Sequence, residues 1–232
     1  MWPLVRFNVI RDAWRLYRRH WVVWSLAMLI VLIGSSVVIG AIFAMLGINR
    51  PGSGVGFRLP MNPGVSALQY FVSTMIGGFF IGGLIRMASN QVRGRAPRIE
   101  DLFTITDVWV DVLLASLLYA AATFVGFLLC AIPGLIVAGL LMFTIPLVVE
   151  SHLPATAAIM QSWTALKSQW LTATAFHCLL CLLSGSGVLL CGVGILLTGP
   201  LYSLCIARLH QEFFGTLTAT AWKKPADPFV EV

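Results

Sequence analysis

The densest group of side chains able to bind a metal or haem is His177-Cys178-Leu179-Leu180-Cys181. Imidazole and thiolate both ligate metals, but the order is not the C-x-x-C-H of haem attachment, and a second C-x-x-C is missing. His20, His152 and His210 fall at the ends of apolar runs, on a different level from His177. His177 is therefore the candidate ligand, its plainer role is a hydrogen bond to a neighbouring helix, and no cofactor or metal is expected. The other group is Asp107 and Asp111, four residues apart, which share a helical face at the entrance of an apolar run. Paired carboxylates can hold a proton or a metal; at a helix N-terminus they more often compensate the helix dipole. No nucleophile elbow, Walker loop or H-E-x-x-H occurs, so the sequence predicts no enzyme.

The elements that would carry these residues are set by hydropathy. Hydrophobic residues make up 59% of the chain, charged residues 10%, and mean hydropathy is +0.91. Soluble domains carry about 25% charged residues, so the composition is that of an integral membrane protein. Val112 to Val149 contains no charged side chain and is closed by Glu150. As one helix this run would be ~57 Å long against a hydrocarbon core of ~30 Å, so it must fold back as a hairpin. Pro133, which lacks a backbone donor, and Gly134, which is free of side-chain constraint, predict the turn.

The whole chain reads as an all-α polytopic bundle of about six spans arranged as three hairpins. The spans are 21–46, 65–85, 112–132, 135–149, 171–191 and 195–210, in a single bundle over 1–214, with a polar tail at 215–232. Trp21 and Trp24 suit an interface, and the first run is too long for a cleaved signal. With a cytoplasmic N-terminus, all of the 15 Lys and Arg except Arg50 and Arg58 fall inside. This positive-inside bias explains the net charge of +6 without any nucleic-acid partner. It predicts a multi-pass protein of the bacterial inner membrane with both termini cytoplasmic. The five cysteines (Cys130, Cys178, Cys181, Cys191 and Cys205) lie in apolar runs and read as small fillers rather than disulfides.

Arg6, Arg11, Arg15, Arg18 and Arg19 crowd the first twenty residues. Phe7, Ile10, Trp14 and Tyr17 share the opposite face of a helix, the pattern of a segment lying in the membrane surface. With Arg93, Arg95 and Arg98 they form the predicted contact face for anionic headgroups or for a partner protein. Segment 155–170, with Ile159, Trp163, Leu166 and Trp170 on one face, predicts a second surface helix. Two small-residue patterns, Ser36-Gly40-Ala44 and the GxxxG of Gly78 and Gly82, predict close helix packing within or between chains. Pro146 and Gly199-Pro200 are expected to interrupt the fourth and sixth spans, a feature transporters use. Thr144, Thr198 and Ser203 then either line a polar path or satisfy backbone groups freed by the prolines. No charge sits at mid-membrane depth, where each would cost ~3 kcal/mol and so mark a function.

An internal repeat runs at an offset of 61 residues, as from Trp109 to Trp170, Leu118 to Leu179, and Gly126 to Gly187. Leu128-Leu129-Cys130 and Leu189-Leu190-Cys191 continue it, which suggests stacked hairpins with the last turn near Gly192 to Gly194.

Several local motifs resemble a bacterial group of uncharacterised six-helix inner-membrane proteins, related to the membrane domain of some glycerophosphodiester phosphodiesterases. They are Gly82-Gly83-Leu84, Arg93-Gly94, Asp101-Leu102-Phe103, Ile132-Pro133-Gly134, and Ala158 with Ser162-Trp163 and Lys167. The resemblance covers about Gly77 to Phe214. It implies a six-helix bundle with cytoplasmic termini and supplies no activity, because phosphodiesterase chemistry belongs to a separate soluble domain. The expected function is thus a non-catalytic scaffold or accessory subunit that binds membrane lipids, another membrane protein or itself. A small permease is the alternative, and a cofactor- or pigment-binding subunit a further one.

Overall fold

The computed structural model describes residues 5, 7–46, 63–187 and 194–220, with side chains described up to 215. Arg6, Arg50, Arg58, Cys191, Gly192 and most of the polar tail lie outside the described residues. Among the described residues there are helices and no strands. In order they are α1 (Val9–Arg19), α2 (Trp21–Met45), α3 (Pro63–Val92), a 3₁₀ segment (Ile99–Asp107), α4 (Trp109–Leu129), α5 (Ala131–Leu140), α6 (Thr144–Ser151), α7 (Ala155–Leu166), α8 (Trp170–Ser186) and α9 (Ile195–Thr220).

Four helical stretches are long and apolar enough to cross a membrane: Trp21–Met45, Pro63–Val92, Trp109–Leu129 and Ala131–Ser151. Their surfaces agree with that role. Ile33, Val37, Leu128 and Leu129 are all more than half exposed, and such apolar area needs an apolar surrounding. The hairpin of α4 and α5 turns at Cys130, not at the predicted Pro133-Gly134. Cys130 is extended between α4 and α5, and Pro133 sits in the first turn of α5, where its missing N–H has no intrahelical partner to lose. Gly134 instead serves packing. A Cβ on Gly126 would fall 2.8 Å from the Gly134 Cα, so the two glycines let α4 and α5 touch backbone to backbone.

The repeat partner of Gly126, Gly187, makes the same kind of backbone contact with Gly194 at the α8–α9 turn. The GxxxG glycines are consumed inside the chain, Gly78 against Ser116 of α4 and Gly82 against Val149, Ile105 and Val112. In contrast, Ser36 and Ala44 are exposed, and a Cβ on Gly40 would meet nothing.

Helices α3 and α9 form the centre: α3 packs on α4 and α9, and α9 also receives α1, α2 and α8. The predicted aromatic face of α1 is divided between the bundle and the surface. Val9, Ala13 and Tyr17 are buried against the bundle, whereas Phe7 and Trp14 remain exposed. Gln91 fixes this placement, accepting from Trp24 Nε1 at 2.7 Å and donating to the Leu16 carbonyl at 2.7 Å. That carbonyl lies in the last turn of α1, where no intrahelical donor remains.

The second predicted surface helix is likewise part of the bundle. Helix α7 ends at Leu166, and its small face of Ala155, Ala158, Ser162 and Ala165 packs on α4 and α6. Ser162 inserts at the break between α5 and α6, donating to the Leu140 carbonyl at 2.7 Å and accepting from the Phe143 N–H at 3.2 Å. The break therefore falls at Leu141 to Phe143, one turn before Pro146, which occupies the first turn of α6. Gly199-Pro200 does not interrupt its helix either; α9 continues through Pro200, and Gly199 gives room to Met28 of α2.

Candidate functional site

Polar side chains gather where α1, α3 and α6 end beside the middle of α9. Helix α3 stops in a Schellman turn: Gly94 takes φ +85, its N–H bonds the Gln91 carbonyl, and the Arg95 N–H bonds the Asn90 carbonyl, both at 3.0 Å. The chain is thereby turned so that Arg95 and Arg98 stay exposed, lining a shallow pocket with Asn90 and Asp101. Arg93 points the other way and pairs with the buried carboxylate of Glu150 at the end of α6.

One helical turn or two earlier on α3, Arg86 holds Asp107 in a forked contact, with Nη2 at 2.8 and 2.9 Å from the two carboxylate oxygens. Asp107 closes the 3₁₀ segment, so it is an ion-pair partner and not a cap of α4. Asp111 alone lies in the first turn of that helix. Partial burial raises the Asp107 pKa, but the Arg86 hydrogen bond and charge outweigh it and hold the carboxyl below its ordinary value. His152 completes the group, its Nδ1 3.6 Å from Asp107, from a left-handed backbone conformation at φ 51 that ends α6.

On α1, Arg11, Arg15, Arg18 and Arg19 are all exposed. Arg15 and Arg19 do more than decorate a surface. With Asp12, Leu16, Val92 and Arg208 they line an open pocket of about 230 Å³ between α1, the end of α3 and the middle of α9. Arg208 gives one hydrogen bond to Gln211 at 3.2 Å, while its buried Nε has no partner among the described residues. In sequence Arg208 ends the last apolar run and matches Arg86 at twice the repeat offset, a pairing that gives no sign of its meeting Arg15 and Arg19.

The break between α5 and α6 borders a second kind of space. A cavity of about 350 Å³ is lined by Tyr70, Ser73, Thr74, Ser116, Tyr119 and Tyr202, among mainly aliphatic neighbours. Tyr70 is held by Thr123, with oxygens 2.6 Å apart. Among the described residues no hydrogen bond joins Thr144, Thr198 and Ser203: the Thr198 hydroxyl is shared between the Ser184 and Gly194 carbonyls, and Thr144 is buried without a partner.

His177 is buried on α8, with Nε2 3.5 Å from Cys181 Sγ and its ring 6.1 Å from that of Tyr202. Among the described residues no three His, Cys, Asp or Glu side chains come together as a metal would require. Cys130, Cys178, Cys181 and Cys205 are free thiols.

These features define an all-α protein with four helices fit to cross a membrane and a charged layer at one end of the bundle. Comparison with protein families, curated proteins and solved structures gives no match.

Proposed function

We propose that this is a non-catalytic, multi-pass protein of the bacterial inner membrane that holds anionic phospholipid headgroups at its basic cytoplasmic face and serves as a scaffold or accessory subunit. The six-span threading with cytoplasmic termini belongs to this reading, as does the local resemblance to the six-helix inner-membrane group. The observation that carries it is the pocket where Arg15, Arg19 and Arg208 meet beside Asp12. Three guanidiniums against one carboxylate leave donors and positive charge for a phosphate, and Arg offers the planar fork that phosphate oxygens fit. Each basic residue near an anionic surface contributes roughly 1 kcal/mol. Replacing Arg15 and Arg19 with Gln should therefore weaken retention of phosphatidylglycerol, measured by native mass spectrometry, by roughly tenfold or more. Unchanged retention would overturn the proposal.

A second reading, a small permease, draws on the cavity beside the α5–α6 break, since interrupted helices often build transport sites. Gly77 lines this cavity, and a Cβ there would meet nothing. A Gly77→Cys variant in sealed vesicles should react with a water-soluble thiol reagent if the cavity opens to water; complete protection in both vesicle orientations would end this reading.

A further inference from the structure

Helix α6 ends against the last turns of α3 and the second half of α9, enclosing a pocket of about 110 Å³ lined by Ser89, Arg93, Glu150, Ser151 and His210 among others. The Glu150 side chain is 3% exposed and gives one oxygen, Oε2, to Arg93. Its other oxygen, Oε1, is buried and meets no donor at full hydrogen-bond geometry among the described residues, and the Ser89 hydroxyl beside the carboxylate supplies a weak hydrogen bond at most. His210, 7% exposed, has a buried Nε2 with no hydrogen-bond partner among the described residues. Two buried polar atoms thus share one small pocket, and leaving a buried polar atom without a full hydrogen bond is costly.

A carboxylate oxygen can only accept, and imidazole Nε2 accepts when the proton is on Nδ1, so the inner end of the pocket asks for a group with several N–H donors. The other side of the pocket has the opposite character. The Arg93 side chain is 53% exposed, and beyond the Nη2 bond to Glu150 its guanidinium retains donors toward the surface. Acceptors stand inside and donors at the mouth. Because Glu150 and Arg93 neutralise each other, a ligand with its own balanced charges enters without leaving a buried charge unpaired.

We propose that this pocket binds a phosphoethanolamine group, with the ammonium on Glu150 Oε1 and His210 Nε2 and the phosphate on the outward edge of Arg93. The space suffices, since a single water needs only about 10–15 Å³ of such volume. The site is distinct from the neighbouring basic pocket of Arg15, Arg19 and Arg208, where the one carboxylate, Asp12, is half-exposed and faces Arg15. The group can arrive as the headgroup of an aminophospholipid or as free phosphoethanolamine.

The test is a native mass-spectrometric titration of the full chain in detergent with dioleoyl-phosphatidylethanolamine and dioleoyl-phosphatidylcholine, which differ only in N-methylation. The ethanolamine lipid should bind about fivefold or more tighter, because choline has no N–H to donate. Glu150→Gln and His210→Phe should each erase that difference, whereas Arg15→Gln with Arg19→Gln should leave it intact. Equal binding of the two lipids by the wild-type chain, or a difference surviving both pocket variants, would overturn the proposal. Should the variants fail to fold, stepwise N-methylated headgroups on the wild-type chain give the same answer: affinity must fall with each N–H lost, and a flat series refutes the site. Competition by free phosphoethanolamine assigns the soluble ligand to the pocket; its failure beside a retained lipid preference assigns the lipid.

Discussion

Two breaks in the helical chain are each closed by one polar side chain from another helix, and the two closures differ in their surroundings. At the end of α1, Gln91 bonds the Leu16 carbonyl while its oxygen accepts from the buried Trp24. At the α5–α6 break, Ser162 serves both sides, the Leu140 carbonyl and the Phe143 N–H, at a position with no exposed surface. Leu16 is only partly buried, so water can replace Gln91 there; nothing can replace Ser162. The same device therefore positions a surface element in one place and completes the interior in the other.

The largest expected effect follows from this contrast. Ser162→Ala should strand two buried backbone groups and lower stability by about 2–4 kcal/mol, read by denaturant or thermal unfolding in detergent. Gln91→Leu should lose less, about 1–2 kcal/mol, and should instead free α1, exposing Arg11 and Arg15 to trypsin while the bundle melts as one unit. If Gln91→Leu proves as damaging globally as Ser162→Ala, the contrast fails. A third helix end is closed by backbone alone, and there Gly94→Ala, at φ +85, should cost about 1 kcal/mol with no change in α1 proteolysis.

Smallest is the pH effect of Asp107. A carboxyl held below its ordinary value adds stability that is complete above about pH 3.8 and fades as pH falls below it. Asp107→Asn should flatten that acid limb, and because the side chain is 45% exposed the change should be slight and salt-sensitive.

Hydropathy made four membrane-length stretches legible, because long apolar runs leave direct marks in sequence, and the repeat aligned Gly126 with Gly187, two positions that both prove to be close glycine contacts. Turns and packed faces were less legible. Pro133 and Pro146 mark where a helix begins as readily as where it breaks, since the first turn loses nothing by a missing N–H. Of the predicted stripe on α7, Leu166 is buried but Trp163 is exposed, and the rest of the buried face is made of alanines and Ser162. Small residues let helices approach, and that signal is quieter than hydrophobicity. Arg93 carries the same charge as Arg95, and only the course of the chain after Gly94 sends one to Glu150 and leaves the other exposed. Convergence of Glu150 with His210, or of Arg15 with Arg208, depends on helices far apart in sequence and has no local mark.

The Ser162 bridge also orders the birth of the protein. Ala131–Ser151 emerges before α7, so for the time in which Ala155–Leu166 is still being synthesised the carbonyl of Leu140 and the N–H of Phe143 lack their final partner. A ribosome paused ahead of α7 would hold a hairpin that has entered its surroundings but cannot settle. The chain reaches its finished interior only when a later segment returns to complete an earlier one.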